Sequence, residues 1–318
     1  MRVPLTKRTA LLLVVALLVL INLSIFLTAY PDTFKPESPT LARDFSAYYI
    51  GAWRLLHNPT QIYNPEIVQS DYQIQPHPQP FKYVPSFLIM FTPFLSLNYQ
   101  SALNAFDISQ ALLILALGFF VYKLIEDKNI FIAVGAAVIV IVDPILMAPS
   151  ASYNIASFFH QRMFHLNLQT FSPSYLCGYG LANAHILQTV LLVGALYFGY
   201  TKKPWLSALF FAFGVFDPRE ALVALPLLLW YNRDSLWKFV GGAAGFLATT
   251  NLPFFLYQGI GWAFLTTETK ASIVSQVYLY DWIPVYAIGA LTVAELLTFL
   301  LNRRRLVSKP NSSILQTD

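Results

Sequence analysis

Charge is what this chain has least of. Asp, Glu, Lys and Arg make up 11% of its 318 residues, against about 25% in an average soluble domain, which excludes an ordinary water-soluble fold. There is one cysteine, Cys177, so neither an intrachain disulfide nor a cysteine-type zinc site can form. The sequence has no Gly-rich phosphate loop, no Ser-His-Asp grouping and no His-Glu-x-x-His helix. It also lacks an Asp-x-Asp pair, which argues against soluble nucleotide-sugar transferases that hold a metal with one. His160 and His165 are five residues apart and cannot share a helical metal site. No metal and no cofactor is therefore expected. No internal repeat is evident.

What the chain has instead is length of apolar run. Apolar residues make up 56%, mean hydropathy is +0.55, and the residues cluster rather than recurring every third or fourth position. A bilayer core about 30 Å thick takes about 20 apolar residues per helix, and helices satisfy their own backbone where lipid offers no partner. The first run, Thr9 to about Tyr30, follows Arg2, Lys7 and Arg8. It is too long for a cleaved signal peptide and ends in Tyr-Pro, so it reads as an uncleaved first helix. Further runs lie at about 83–97, 103–124, 130–148, 183–200, 204–216, 219–231, 237–256 and 282–301. The expectation is an all-α, polytopic membrane protein of eight to ten transmembrane or re-entrant helices, forming one transmembrane domain over 1–318.

The net charge of +4 does not imply nucleic acid, because the basic residues flank the apolar runs. Under the positive-inside rule both termini are cytoplasmic, with 303–318 as a tail opening on Arg303, Arg304 and Arg305. Nine full crossings would put the termini on opposite faces. The conflict has two exits: the run 83–97, which contains Pro85 and Pro93, is re-entrant, or a further crossing lies within 149–182.

Residues 31–82 form the first extracytoplasmic loop. Within it, Asp44 to His57 places Phe45, Tyr48, Tyr49, Ala52 and Leu56 at helical spacing, the stripe of a helix on the membrane surface. Asn64-Pro65 reads as a helix cap with proline at the first position. Residues 73–80 are expected to be extended. The pair 204–216 and 219–231 reads as a hairpin entering from the cytoplasm, with Asp217, Arg219 and Glu220 at a charged tip.

Charges in or near a bilayer are costly and need a reason. The candidates are Asp107, Asp143, the Asp217/Arg219/Glu220 tip and Glu295. All five histidines fall in loops or helix ends on the outer side. Asp44 stands out: as an N-cap it suits the helix dipole, and as a carboxylate at the membrane–water boundary it suits a general base. The two roles are compatible. Lys82 fits an interfacial anchor that snorkels to water, and Arg219 with Glu220 fits an ion-paired tip. His185 fits a packed or solvated histidine. Tyr48, Tyr49 and Trp53 fit interface aromatics or sugar-stacking groups, and Asp107 and Asp143 fit polar links between helices.

The run Asp44-Phe45-Ser46-Ala47-Tyr48-Tyr49-Ile50-Gly51-Ala52-Trp53-Arg54-Leu55-Leu56, then Ile62-Tyr63-Asn64-Pro65, Phe81-Lys82-Tyr83-Val84-Pro85 and Pro93-Phe94-Leu95 resembles the first external loop of C-type glycosyltransferases. The likeness is to glycosyltransferase family 87, the polyprenyl-phosphate-mannose-dependent mannosyltransferases. It extends over about 9–232 through Asn183 and the Asp217-Pro218 turn, and its motifs concentrate at 44–97. Where relatives often carry Lys-Pro in the later hairpin, this chain has Asp217-Pro218 with Arg219 beyond, and no Gln precedes Asn183. The resemblance implies an inverting hexosyltransferase that takes a mannose-like sugar from a polyprenyl-phosphate donor outside the membrane and gives it to a lipid or glycan acceptor. It implies Asp44 as the base. Lys82, Arg54 and Arg219 would serve the lipid phosphate, with Tyr48, Tyr49, Tyr83 and His185 around the substrate. Two other functions fit the composition: a transporter or flippase for a lipid-linked solute, and a catalytically inactive scaffold with the same fold.

Overall fold

The computed structural model describes residues 5–33, 43–64, 81, 83–146, 184–257, 259–266 and 283–307. Among these, every regular element is a helix: α1 (Leu5–Thr33), α2 (Arg43–His57), α3 (Tyr99–Ile125), α4 (Ile130–Leu146), α5 (His185–Tyr200), α6 (Pro204–Gly214), α7 (Pro218–Tyr231), α8 (Leu236–Leu256) and α9 (Ile283–Val307). Three stretches are long and apolar enough to cross a membrane: Thr6–Ser24, Tyr99–Ile125 and Arg233–Leu256. The apolar runs of the sequence map onto these helices one for one, except 83–97. That run folds as two 3-10 turns, Pro85–Met90 and Thr92–Ser96, each with a proline at its start where a missing N–H costs nothing. The crossing considered within 149–182 lies outside the described residues.

Helices α1, α3, α4, α5, α7 and α9 pack around one apolar core that includes Leu11, Val15, Leu117, Val140, Val193 and Ile288, with α6 beside α5 and α8 beside α6. Small residues set the close crossings, as is usual where lipid removes any hydrophobic drive between helices. A Cβ on Gly118 of α3 would meet Val19 Cγ2 of α1 at 2.5 Å, and one on Gly242 of α8 would meet the Trp205 ring of α6 at 2.9 Å.

Polar contacts define the two ends of the bundle. At one end the Lys7 ammonium donates to the Lys128 carbonyl, and Lys128, itself buried, forms an ion pair with Glu295 of α9. The Tyr200 hydroxyl donates to Asp127, and Asn232 Nδ2 donates to Ser207 Oγ at 3.0 Å. The start of α1, the α3–α4 turn, the end of α5, the start of α6 and the α7–α8 corner thus meet here. At the other end Asn22 of α1 donates to the Ile141 carbonyl of α4, and the Ala184 N–H donates to the Tyr48 hydroxyl at 3.3 Å. The eight helices α1 and α3 to α9 therefore alternate in direction, and α1 starts at the end toward which α9 runs. Residues 83–97 add no α-helix to this alternation.

Helix α6 has 11 residues, about 16 Å at 1.5 Å per residue, little more than half of a 30 Å hydrocarbon core. The α6–α7 turn thus stops partway along the bundle. Together with the 3-10 turns it forms a region of irregular backbone near the end that holds Tyr48 and Ala184.

The Lys128–Glu295 pair predicts a specific stability pattern. Lys128→Met leaves a carboxylate largely enclosed without its cation and should cost about 3 kcal/mol, lowering the thermal midpoint in detergent. Adding Glu295→Leu should restore most of the loss; a double variant as unstable as the sum of both singles would contradict the pairing.

Candidate functional site

Helix α2 has the periodicity expected of it, but its stripe faces protein. Phe45, Tyr48, Tyr49 and Ala52 are buried against the two 3-10 turns and the first turns of α3. Leu56, expected in the stripe, is 60% exposed; Leu55 packs inward in the last turn instead. A Cβ on Gly51 would meet Leu88 Cδ2 at 2.8 Å, which is why the 85–90 turn can lie flat on this helix.

Aromatic rings fill the junction. Phe45 stacks on Phe106 at 5.0 Å, Tyr48 lies 4.8 Å from Phe91, and Phe87 stacks on Phe216 of the α6–α7 turn at 4.1 Å and 22°. Such pairs add about 0.5–1.5 kcal/mol each beyond their burial. The backbone between them is satisfied locally. Phe87, Phe91, Phe94 and Leu97 N–H groups bond the carbonyls of Val84, Leu88, Phe91 and Phe94, and the Val84 N–H donates to the Phe216 carbonyl. Side chains complete the set: the Tyr49 hydroxyl donates to the Leu97 carbonyl and the Tyr63 hydroxyl to the Tyr83 carbonyl, both at 2.7 Å. Burial pushes the Tyr49 phenol above its ordinary value, so it remains a donor at any physiological pH.

Gln188 of α5, fully buried, holds the α6–α7 turn. Its Nε2 donates to the Gly214 carbonyl at 2.9 Å, orphaned where α6 ends, and to the Asp217 carbonyl at 3.0 Å, which also accepts the Ala221 N–H at the start of α7. Both partners are acceptors, so the amide orientation is fixed and Oε1 faces away, without a hydrogen-bond partner among the described residues. Asp217, expected at a charged tip, is buried at 4% exposure. The two helices do not form a free hairpin either: α6 packs on α5 and α8, and α7 on α5 and α9. Beside the turn is a cavity of about 150 Å³ lined by Val84, Phe87, Phe216, Leu247, Thr250 and Asn251, among others.

The candidates from the sequence fall into three groups. Tyr48, Tyr49, Tyr83 and His185 come together: Tyr48 and Tyr83 rings are 5.7 Å apart, and His185, 7% exposed, begins α5 immediately after Ala184, whose N–H reaches Tyr48. Arg54 stands apart, about 15 Å along α2 from Asp44. It is buried and donates through Nη1 to the Gln61 and Asn64 carbonyls at 2.8 and 3.0 Å. These two bonds close the turn that follows α2. Asp44 occupies the first turn of α2 and Arg219 the first turn of α7; Lys82 lies outside the described residues. Among the described residues no group of three or more His, Cys, Asp or Glu side chains could hold a metal.

Sequence reasoning passed over Gln188, Phe87 and Phe216. An amide within the apolar run His185-Ile-Leu-Gln188-Thr-Val-Leu-Leu-Val was a signal, since a polar side chain at membrane depth needs partners; its carbonyl partners, 26 and 29 residues away, were not.

Comparisons with protein-family models, curated proteins and solved structures find no match.

The Gln188 clamp predicts that Gln188→Leu, which keeps volume but removes both donors, lowers unfolding free energy by about 2 kcal/mol. Denaturation in detergent micelles measures this; an unchanged midpoint would show that the 214–217 carbonyls are satisfied otherwise.

Proposed function

We propose that the chain is a multi-pass membrane glycosyltransferase that moves a mannose-like hexose from a polyprenyl-phosphate donor to a lipid or glycan acceptor at the extracytoplasmic face, with inversion. Residues 31–82 are the first external loop, and both termini are cytoplasmic, because the bundle end bearing Lys7, Lys202, Lys203 and Arg233 carries the basic residues that stay inside. The observation that carries the proposal is the convergence of α2, the 3-10 turns, the start of α5 and the α6–α7 turn on one aromatic cluster at the other end. A transferase that meets a lipid-borne sugar needs fixed, irregular backbone at membrane depth, sealed from lipid and adjoining a cavity. The resemblance over 44–97 adds the chemistry.

In the proposed reaction the Asp44 carboxylate takes the proton of the acceptor hydroxyl. The acceptor oxygen forms a bond to the anomeric carbon from the face opposite the phosphate. The bond from that carbon to the phosphate oxygen breaks, and the polyprenyl phosphate leaves with the electron pair. Arg219 and Lys82 hold the phosphate and stabilise the charge that develops on it. Tyr48, Tyr83 and His185 shape the wall behind the site through packing.

A second function, a flippase or transporter for a lipid-linked solute, is favoured by one feature: the interruption between α6 and α7 at membrane depth, the kind of broken helix that transporters use. The same reconstituted vesicles separate the two. With a labelled polyprenyl-phosphate hexose and mixed acceptor lipids, the wild type should transfer label and Asp44→Asn should lose transfer by about 10²-fold or more. Full transfer by Asp44→Asn would refute the assignment of the base, and solute translocation without transfer would favour the transporter.

A further inference from the structure

The α5–α6 and α7–α8 corners meet at the basic end of the bundle, where Asn232 Nδ2 ties α7 to Ser207 of α6 and the Ser235 N–H bonds the Asn232 carbonyl. Four cations gather there: Lys202, Lys203, Arg233 and Lys238. Of the two corners' own residues one is acidic, Asp234, and it is paired: Lys202 Nζ lies 2.6 Å from its carboxylate and Arg233 Nε 3.7 Å, while Glu126, Asp127 and Glu295 at the same end are held by Lys123, Tyr200 and Lys128. Lys202 also donates to the Tyr231 carbonyl at the end of α7. Lys203 and Lys238 are exposed and have no acidic partner among the described residues.

Backbone strain is retained to build this corner. Lys202 has φ 60°, the left-handed position after a helix that glycine usually takes. The turn is closed by Lys202 N–H to the Gly199 carbonyl and Lys203 N–H to the Phe198 carbonyl. A side chain there costs about 1 kcal/mol, so glycine would be the cheaper choice for closure alone. What lysine adds is a cation on Asp234.

Tryptophans surround the cations. Trp205, Trp230 and Trp237 are 56%, 50% and 86% exposed, and the Arg233 guanidinium lies 4.4 Å over the Trp230 ring. Rings so exposed are costly in water but suit the headgroup layer, where an apolar body meets a polar tip. The corner also begins the apolar stretch Arg233–Leu256, which sets its level at the membrane boundary.

We propose that this corner is a binding site for the headgroup of an anionic phospholipid, with Lys203 and Lys238 as its principal charge contacts and Trp205 and Trp237 against the acyl region. The site is independent of the transfer reaction and lies at the opposite end of the bundle. Native mass spectrometry of the full chain in detergent, with phosphatidylglycerol and phosphatidylcholine added at equal concentration, tests it. The wild type should retain phosphatidylglycerol preferentially. Lys203→Gln with Lys238→Gln should weaken that retention by about fivefold per lysine, and Lys203→Arg with Lys238→Arg should keep it. Equal retention of the two lipids by the wild type, undiminished retention by the Gln pair, or loss in the Arg pair would each overturn the site.

Discussion

Lipid gives a peptide group nothing to hydrogen-bond, and the rest of this molecule follows from how it meets that constraint where the chain is not helical. Residues 83–97 run through 3-10 turns and α6 breaks after 11 residues, leaving carbonyls and N–H groups that water would satisfy in a soluble protein. Here they are closed by protein. The 3-10 turns bond internally, Tyr49 and Tyr63 cover the Leu97 and Tyr83 carbonyls, and Gln188 takes those of Gly214 and Asp217. The rings of Phe45, Tyr48, Phe87, Phe91, Phe106 and Phe216 then pack the buried face of these turns.

The two ends of the bundle use different physics. One is held by charge, with Lys128 paired to Glu295 and Tyr200 bonded to Asp127, links that fix α9 and α5 against the α3–α4 turn. The other is held by aromatic packing and side chain to backbone hydrogen bonds. A charged seam tolerates the wet boundary of a membrane. An aromatic seal can instead surround a cavity at depth and position nearby polar groups such as Thr250 and Asn251.

Much of the fold was legible in the sequence because the signal is long and one-dimensional: apolar runs of helical length, bounded by basic residues, returned α1 and α3 to α9 close to their ends. The proline pair in 83–97 marked the one run that folds as 3-10 turns rather than as an α-helix. The spacing of Phe45, Tyr48, Tyr49 and Ala52 gave α2 and its buried face, though nothing local said that protein rather than lipid would cover it, or that Leu56 would fall beyond the packed surface. Long-range pairings were not legible. Lys128 meets Glu295 across 167 residues, and Phe87 meets Phe216 through two turns that carry no mutual signature. The bonds from Arg54 to the Gln61 and Asn64 carbonyls, which close the turn after α2, had no sequence signature either.

The central claim is that 83–97 returns to the side from which it came, so that α2 and the start of α3 share one face of the membrane and the α5–α6 corner lies on the other. Single cysteines in a Cys177→Ser background, labelled in sealed vesicles with a membrane-impermeant maleimide, test this directly at three exposed positions, Asn58, Gln100 and Lys203. The account predicts that Asn58→Cys and Gln100→Cys label from the same side and Lys203→Cys from the opposite one. Labelling of Gln100→Cys from the side of Lys203→Cys would make 83–97 a crossing and contradict it.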